Sequence, residues 1–523
     1  MPPVPTSKPL TVKEFDRAFC GVCGGCSSAC GYIAYLKKDT LVDLYGHPCD
    51  PNGIGSFCTK GIAYIQELSA NPLRICKPIL REGNNYRQIS YDEVIGILKD
   101  LPKGKVAVFL DRFAGLEEYL IVKEFTDEVY SDSVYLPFKQ TSVRAQEWVN
   151  KKAILIFEAE PTFSEVMLTR WIVDAFEKDA YIFSVGSRYT TVFQKSKENI
   201  LTTPYKTVEI LEAIAEGKYD ARITKFLEYF GRETVVIVGD TLLKSQFKNR
   251  VLKAVKTLRE RFGTDYSFVG NITPFPVKSL EKFIENLEDF EYILTFGNPF
   301  IYLSEEKLEK IKPKMVINFA YFPTITANHS RLVIPRTTFA EREFIVKGFG
   351  FLSYSPKILE TKIPQPYELL VKATGLKYNL ETFLKNFGVS LKEIKEKEGG
   401  VDLKMKDILY MTFEDDTEEE KGEVWILCDN SLVEELGHWN LWTHAIERNQ
   451  FAYINESTKE KLGIGETVKI NSAELRVKIN NNIADNVIFI PNAFEEFQPF
   501  EPGIRVGRIL RKPFWRFEAL YFP

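Results

Sequence analysis

Several residue types are scarce in this chain. Of 523 residues only four are histidine, five methionine and eight cysteine. With so few histidines, no Ser–His–Asp constellation and no H-E-x-x-H zinc helix is evident. Basic residues hold no excess, since 68 Lys and Arg face 72 Asp and Glu for a net charge of −4. The two signs are interspersed, so the basic footprint of a nucleic-acid binder is missing. No apolar run approaches the roughly 20 residues of a membrane span, and no direct span is expected. The opening stretch MPPVPTSKPLTVKEF has neither an apolar h-region nor a twin arginine, from which a cytoplasmic location is expected. No internal repeat or low-complexity segment is evident. What is present, 45% hydrophobic and 27% charged residues, is an ordinary globular composition, long enough for several domains.

The scarce cysteines are concentrated. Six of the eight fall between Cys20 and Cys58, in CGVCGGCSSAC, a spacer of 27 residues, and CTKG. Cys23, Cys26 and Cys30 with Cys58 offer three thiolates from one loop and a fourth from elsewhere. That is the arrangement a compact cubane cluster asks for. A ferredoxin-type run through Cys20 would call for a following proline and a second run, and Gly31 follows instead. The glycines Gly21, Gly24, Gly25 and Gly31 suit backbone turning sharply around sulfurs. A four-cysteine zinc site is the alternative, although zinc sites usually pair two C-x2-C halves. A disulfide framework is not expected in a long chain with no secretory signal. Cys20, Cys49 and Cys76 read as small apolar fillers. His47, beside Pro48, reads as a turn residue.

C-x2-C-x3-C followed by C-x-K-G, with Asn71-Pro-Leu-Arg and Ile89-Ser-Tyr-Asp-Glu-Val downstream, resembles the N-terminal part of the molybdopterin oxidoreductase superfamily. That superfamily includes formate dehydrogenases and the large iron–sulfur subunit of respiratory complex I, the NADH-quinone oxidoreductase. The resemblance implies a [4Fe–4S] cluster on Cys23, Cys26, Cys30 and Cys58. It places Lys60 on the electron path, between that cluster and a molybdenum or tungsten bis-molybdopterin guanine dinucleotide. Other iron–sulfur redox subunits are the implied partners, which could dock the protein on a membrane.

Further along, short apolar runs alternate with amphipathic helices: Val106–Leu110, Ala153–Phe157, Ala180–Val185, Thr234–Gly239, Tyr292–Gly297 and Met315–Phe319. Such runs argue for parallel, doubly wound sheets, whose ligands lie beyond the carboxyl ends of the strands. The expected fold class is therefore α/β. Residues 1–80 form an iron–sulfur domain. Residues 81–145 with 290–395, and residues 146–289, form two Rossmann-like domains. A linker spans 396–421, with the acidic run from Glu414 as a solvated boundary. Residues 422–523 resemble the superfamily's C-terminal β-barrel, its dinucleotide-binding part.

The same resemblance tests the catalytic apparatus. The region of the metal-ligating side chain, Val134–Arg144, holds no cysteine; Ser142 or Asp132 could supply oxygen. The family's Gly-Ser-Asn-Pro loop is here Glu158-Ala-Glu-Pro161, placing acids where a helix-terminus anion site wants bare amides. Of the next motif only Arg188 and Thr190 survive, while Phe296-Gly-Asn-Pro299 keeps Asn298 as a cofactor-side contact. Ile334-Pro-Arg-Thr-Thr-Phe-Ala-Glu341 resembles a further family segment. His438 and His444 either touch the pterin or accompany an aromatic interdomain contact, and His329 is assigned no role. Three readings stay open: a formate dehydrogenase-like oxidoreductase, a non-catalytic relay or scaffold similar to the large iron–sulfur subunit of complex I, and a zinc-stabilised scaffold.

Overall fold

The computed structural model describes residues 15–83, 85–218, 224, 229–414, 424–429, 435–440, 443, 450–470, 473–492 and 503–507. His444 and most of the acidic run after Glu414 lie outside them. Among the described residues no helix is long and apolar enough to cross a membrane.

Two parallel sheets carry the body of the molecule. One has five strands in the order Glu198–Leu201, Tyr181–Gly186, Ala153–Phe157, Thr234–Gly239, Asp265–Val269, every neighbour parallel. All five residues of Ala153–Phe157 are buried, as a central strand covered by helices on both faces must be. The covering helices bury one stripe each. In Val166–Glu177 it is Met167, Leu168, Trp171, Ile172 and Ala175, recurring at the helical period. Lys248–Phe262 buries Val251, Leu252, Val255 and Leu258.

The second sheet is built from two separated stretches of chain. Its order is Lys278–Ser279, Val129–Ser131, Val106–Leu110, Tyr292–Phe296, Met315–Ala320, Leu332–Pro335, Ile79–Glu82, Asn85–Gln88. Six strands run parallel, and the hairpin Ile79–Gln88 closes one edge antiparallel. In both sheets the chain winds outward to either side of one central strand: Ala153–Phe157 in the first, Val106–Leu110 in the second. Such strands end at the switch points where doubly wound sheets bind ligands.

The two ends of the chain lie outside these parallel sheets, and the N-terminal one differs from expectation. The cysteine-rich segment is a three-stranded antiparallel sheet, Arg17–Val22, Gly31–Lys37 and Thr40–Gly46, packed around Tyr32, Ala34 and Leu44. It carries no signature of an iron–sulfur domain, because no cluster of metal-ligating side chains is assembled there among the described residues. The expected C-terminal barrel is, among the described residues, a curled six-stranded sheet. Its order is Thr467–Ile470, Ala473–Ile479, Ala452–Ile454, Val487–Pro491, Val424–Asp429, Gly503–Gly507. Among the described residues the first and last strands of that order do not pair. Its inner face buries Ile426, Ile454, Ile470, Leu475 and Ile488.

Candidate functional site between two switch points

The residues following Leu110 and Phe157 converge beside the cysteine segment. After Val106–Leu110 the chain runs into Asp111, Arg112 and Phe113. Arg112 and Phe113 line a small cavity of about 40 Å³ together with Gly25, Cys26, Ser164 and Glu165. Lys60 enters the same region from the short helix Thr59–Ile62. It is buried and donates to the carbonyls of Phe163 at 2.5 Å and Ser164 at 3.2 Å. Burial lowers its pKa, while nearby Cys26 opposes that. Glu165 accepts from Ser164 Oγ at 2.5 Å and from Ser27 Oγ at 3.1 Å, so it joins the cysteine loop to the five-stranded sheet. Lys347, on the strand Phe344–Lys347, completes the wall, its ammonium brought down to about 8 by burial.

Charges around this space are matched within the chain. Arg336 donates to Asp111 at 2.6 and 3.0 Å, both side chains almost fully buried. Arg342 reaches Glu118 at 3.2 Å and the Phe113 carbonyl at 2.7 Å. Arg74 holds Glu341 through both oxygens, at 2.8 and 2.5 Å. Arg336 and Arg74 each meet their carboxylate through two bonds, the geometry that makes such pairs strong.

The cysteines do not form the expected centre. Cys23 and Cys30 are buried, and the Cys58 thiol is close enough to raise the pKa of Cys23, Cys26 and Cys30. Burial first, and these neighbours second, push Cys23, Cys26 and Cys30 above the ordinary thiol range. Among the described residues no group of three or more His, Cys, Asp or Glu is disposed to hold a metal ion. The expected [4Fe–4S] cluster, its relay role, the zinc alternative and the molybdenum or tungsten site are all corrected by that finding.

The other expected site residues are scattered. Ser142 donates to Asp265 at 2.8 Å and accepts from the Tyr266 amide at 3.0 Å, beside a cavity of about 180 Å³. Asp132 lines a different cavity, so the two candidate oxygen ligands are not brought together. Arg188 is buried, forms an ion pair with Asp429 of the C-terminal sheet and lies 4.4 Å from the centre of the Phe489 ring. Thr190 is the N-cap of the short helix Thr191–Gln194. Asn298 is buried and accepts from the amide and hydroxyl of Thr326 at 3.1 and 2.8 Å. His438 ends the helix Glu435–His438, next to Trp439, which stacks on Phe322 at 5.1 Å. His329 engages its own helix through the Ile325 carbonyl at 2.9 Å.

Sequence reasoning passes over Arg112, Glu165 and Lys347. Arg112 is detectable, since it lies two residues past a buried strand at a reversal of strand order. Glu165 and Lys347 come from distant segments and carry no local signal.

The acidic loop after Phe157 does have a structural answer. Glu158 takes a left-handed backbone (φ 43°) and accepts from Ser187 N at 3.1 Å, Ser187 Oγ at 2.5 Å and Thr207 Oγ1 at 3.3 Å. Glu160 accepts from Thr162 N at 3.2 Å. Burial raises both carboxyls to about 7. The folded state therefore binds more protons than the unfolded chain between the ordinary glutamate range and about 7, and stability falls as pH rises through that window. Denaturant unfolding at a series of pH values should show this slope, and Glu158→Gln should flatten it. An unchanged slope in the variant would place the protons elsewhere.

A family model described as molybdopterin oxidoreductase matches residues 74–353, more than half of the chain. The chain belongs to the molybdopterin oxidoreductase family. A stretch of 71 residues is 35% identical to formate dehydrogenase 2 subunit alpha (cytochrome c-553) of Nitratidesulfovibrio vulgaris; it covers 14% of this chain and 7% of that protein. The match thus spans a small fraction of the relative's own length. The fold is similar to that of acetylene hydratase from Pelobacter acetylenicus, with a TM-score of 0.60 and 14% identity over 91% of this chain and 93% of that one. At that identity the likeness speaks for the fold alone.

The residues of this family member do not fit the family's large cofactor. Ligand pockets run to roughly 300–1,000 Å³, against about 40 Å³ between the switch points. Asn298 is committed to Thr326 and Arg188 to Asp429. Carboxylates Glu158 and Glu160 stand where a pyrophosphate would approach.

Proposed function

We propose that this chain is a subunit of an oxidoreductase assembly, contributing the molybdopterin-oxidoreductase fold while a redox partner subunit carries the chemistry. The observation that supports this reading most is the closure of the space between the switch points by Lys60, Arg112, Glu165 and Lys347. A cleft lined by the chain's own charged side chains, with about 40 Å³ left between them, leaves little room for substrate and cofactor together. The formate dehydrogenase named among the relatives supplies the first substrate to try.

The test compares the purified chain with the same chain co-purified with its partners, using formate and a viologen dye. The expected result is turnover by the complex and none by the chain alone, with the partner holding the redox centre by elemental analysis. Formate oxidation by the isolated chain would make it the enzyme itself and overturn the proposal.

A further inference from the structure

A second cavity, of about 480 Å³, lies beside the Cys26–Arg112 space. It opens between Ser131–Tyr135, the residues after the helix Asp240–Leu243, and Arg505 of the C-terminal sheet. Its size falls within the range of small-molecule sites. Leu243, Val277 and Leu280 give it an apolar wall, and Lys244, Lys248 and Arg505 give it a cationic one.

The three cations are not equivalent. Lys244 is neutralised by Asp240 at 2.7 Å, and Arg505 is bound to the Lys244 carbonyl. Lys248 is half-buried, and among the described residues its ammonium makes no hydrogen bond or ion pair. The acids on the rim do not change this. Glu281 is exposed, and burial pushes the Asp132 carboxyl up, towards its neutral form. A desolvated, unmatched ammonium is costly, and burial lowers the Lys248 pKa accordingly. It also stands at the start of the 15-residue helix Lys248–Phe262, whose dipole favours an anion.

We propose that this cavity binds a small organic monocarboxylate, with the carboxylate on Lys248 and the apolar body against Leu243, Val277 and Leu280. One unmatched cation suits one negative charge, which favours a carboxylate over a dianionic phosphate. The site adjoins the space between the switch points, the Ser133 hydroxyl donating to Asn271 of that space at 2.7 Å, and does not depend on the subunit role proposed above.

The test is calorimetric titration of the full chain with benzoate as probe, with benzamide as its neutral isostere and phenyl phosphate as the dianion. Benzoate should bind saturably and about tenfold or more tighter than either analogue, one decade being 1.4 kcal/mol. Lys248→Gln, which keeps most of the stem, should lose about that factor, and Lys248→Arg should keep most of the affinity. Because Lys248 has no described partner to lose, the Gln variant should unfold at the same denaturant concentration as the parent. A second readout needs no variant: benzoate should protect Lys248 from acylation, followed by mass spectrometry of the peptide. Equal binding of benzoate and benzamide, tighter binding of phenyl phosphate, an unaffected Lys248→Gln variant, or no saturable binding would each overturn the proposal.

Discussion

Replacing Asp111 with alanine should destabilise the protein by about 3–5 kcal/mol, the cost of leaving one member of a buried ion pair alone. Arg336 is fully enclosed and its guanidinium meets Asp111 through two bonds. The pair sits at the end of the strand Val106–Leu110, where the eight-stranded sheet reverses its order. Without the carboxylate, a charge remains in a space with no water to solvate it. Converting both partners, Asp111→Ala with Arg336→Met, should recover much of the loss, because two apolar groups leave nothing unpaired. Urea unfolding of the parent, the single variant and the double variant measures this directly. Equal destabilisation of the single and double variants would mean that packing volume, not charge pairing, is what Asp111 and Arg336 supply.

The second large effect is steric. Gly239 ends the strand Thr234–Gly239, beside the end of Ala153–Phe157. A methyl group added there would lie 1.9 Å from the Glu158 carbonyl oxygen and 3.0 Å from the Ala159 Cα, both backbone atoms. Backbone of a central strand cannot swing aside as a side chain does, so Gly239→Ala should cost about 3 kcal/mol or more, the upper end for overpacking. It should also disturb the hydrogen bonds of Glu158 to Ser187, which depend on the same turn. Gly96, in the helix Tyr91–Lys99, is the control, because a methyl group there meets nothing within 4 Å. Its alanine variant should be as stable as the parent or more so. Similar unfolding midpoints for the two variants would show that the strand ends yield more than their geometry implies.

The alternation of buried strands and amphipathic helices is legible from the sequence because it is a local property. Val106–Leu110, Ala153–Phe157 and Met315–Ala320 each announce themselves as unbroken apolar runs, and each is a strand. The helices between them follow the same alternation, Leu116–Phe125 ending before Val129–Ser131 joins the sheet and Val166–Glu177 following Ala153–Phe157. The cysteine segment misleads for a different reason. Spacing says which sulfurs could meet, whereas burial and tertiary contacts decide whether they meet as charged ligands or as neutral, enclosed thiols. In Arg17–Val22 and Gly31–Lys37 the cysteines and glycines mask the pairing of the two segments as strands. The partnerships of Arg336 with Asp111 and Arg74 with Glu341 link residues more than 200 positions apart, and no local pattern carries them.

The eight-stranded sheet is interrupted in sequence by the entire five-stranded one. During synthesis, the strands at 79–131 leave the ribosome long before their partners at 278–335 exist. Val106–Leu110 must wait, with a fully apolar surface, for Tyr292–Phe296 to arrive. The intervening parallel sheet needs nothing from outside 153–269 to pair its own strands, so it can close first and hold the two ends of the outer sheet near each other. Its early closure shortens the effective loop that the late pairing has to bridge, and sets the interval during which a nascent chain of this kind most needs a chaperone.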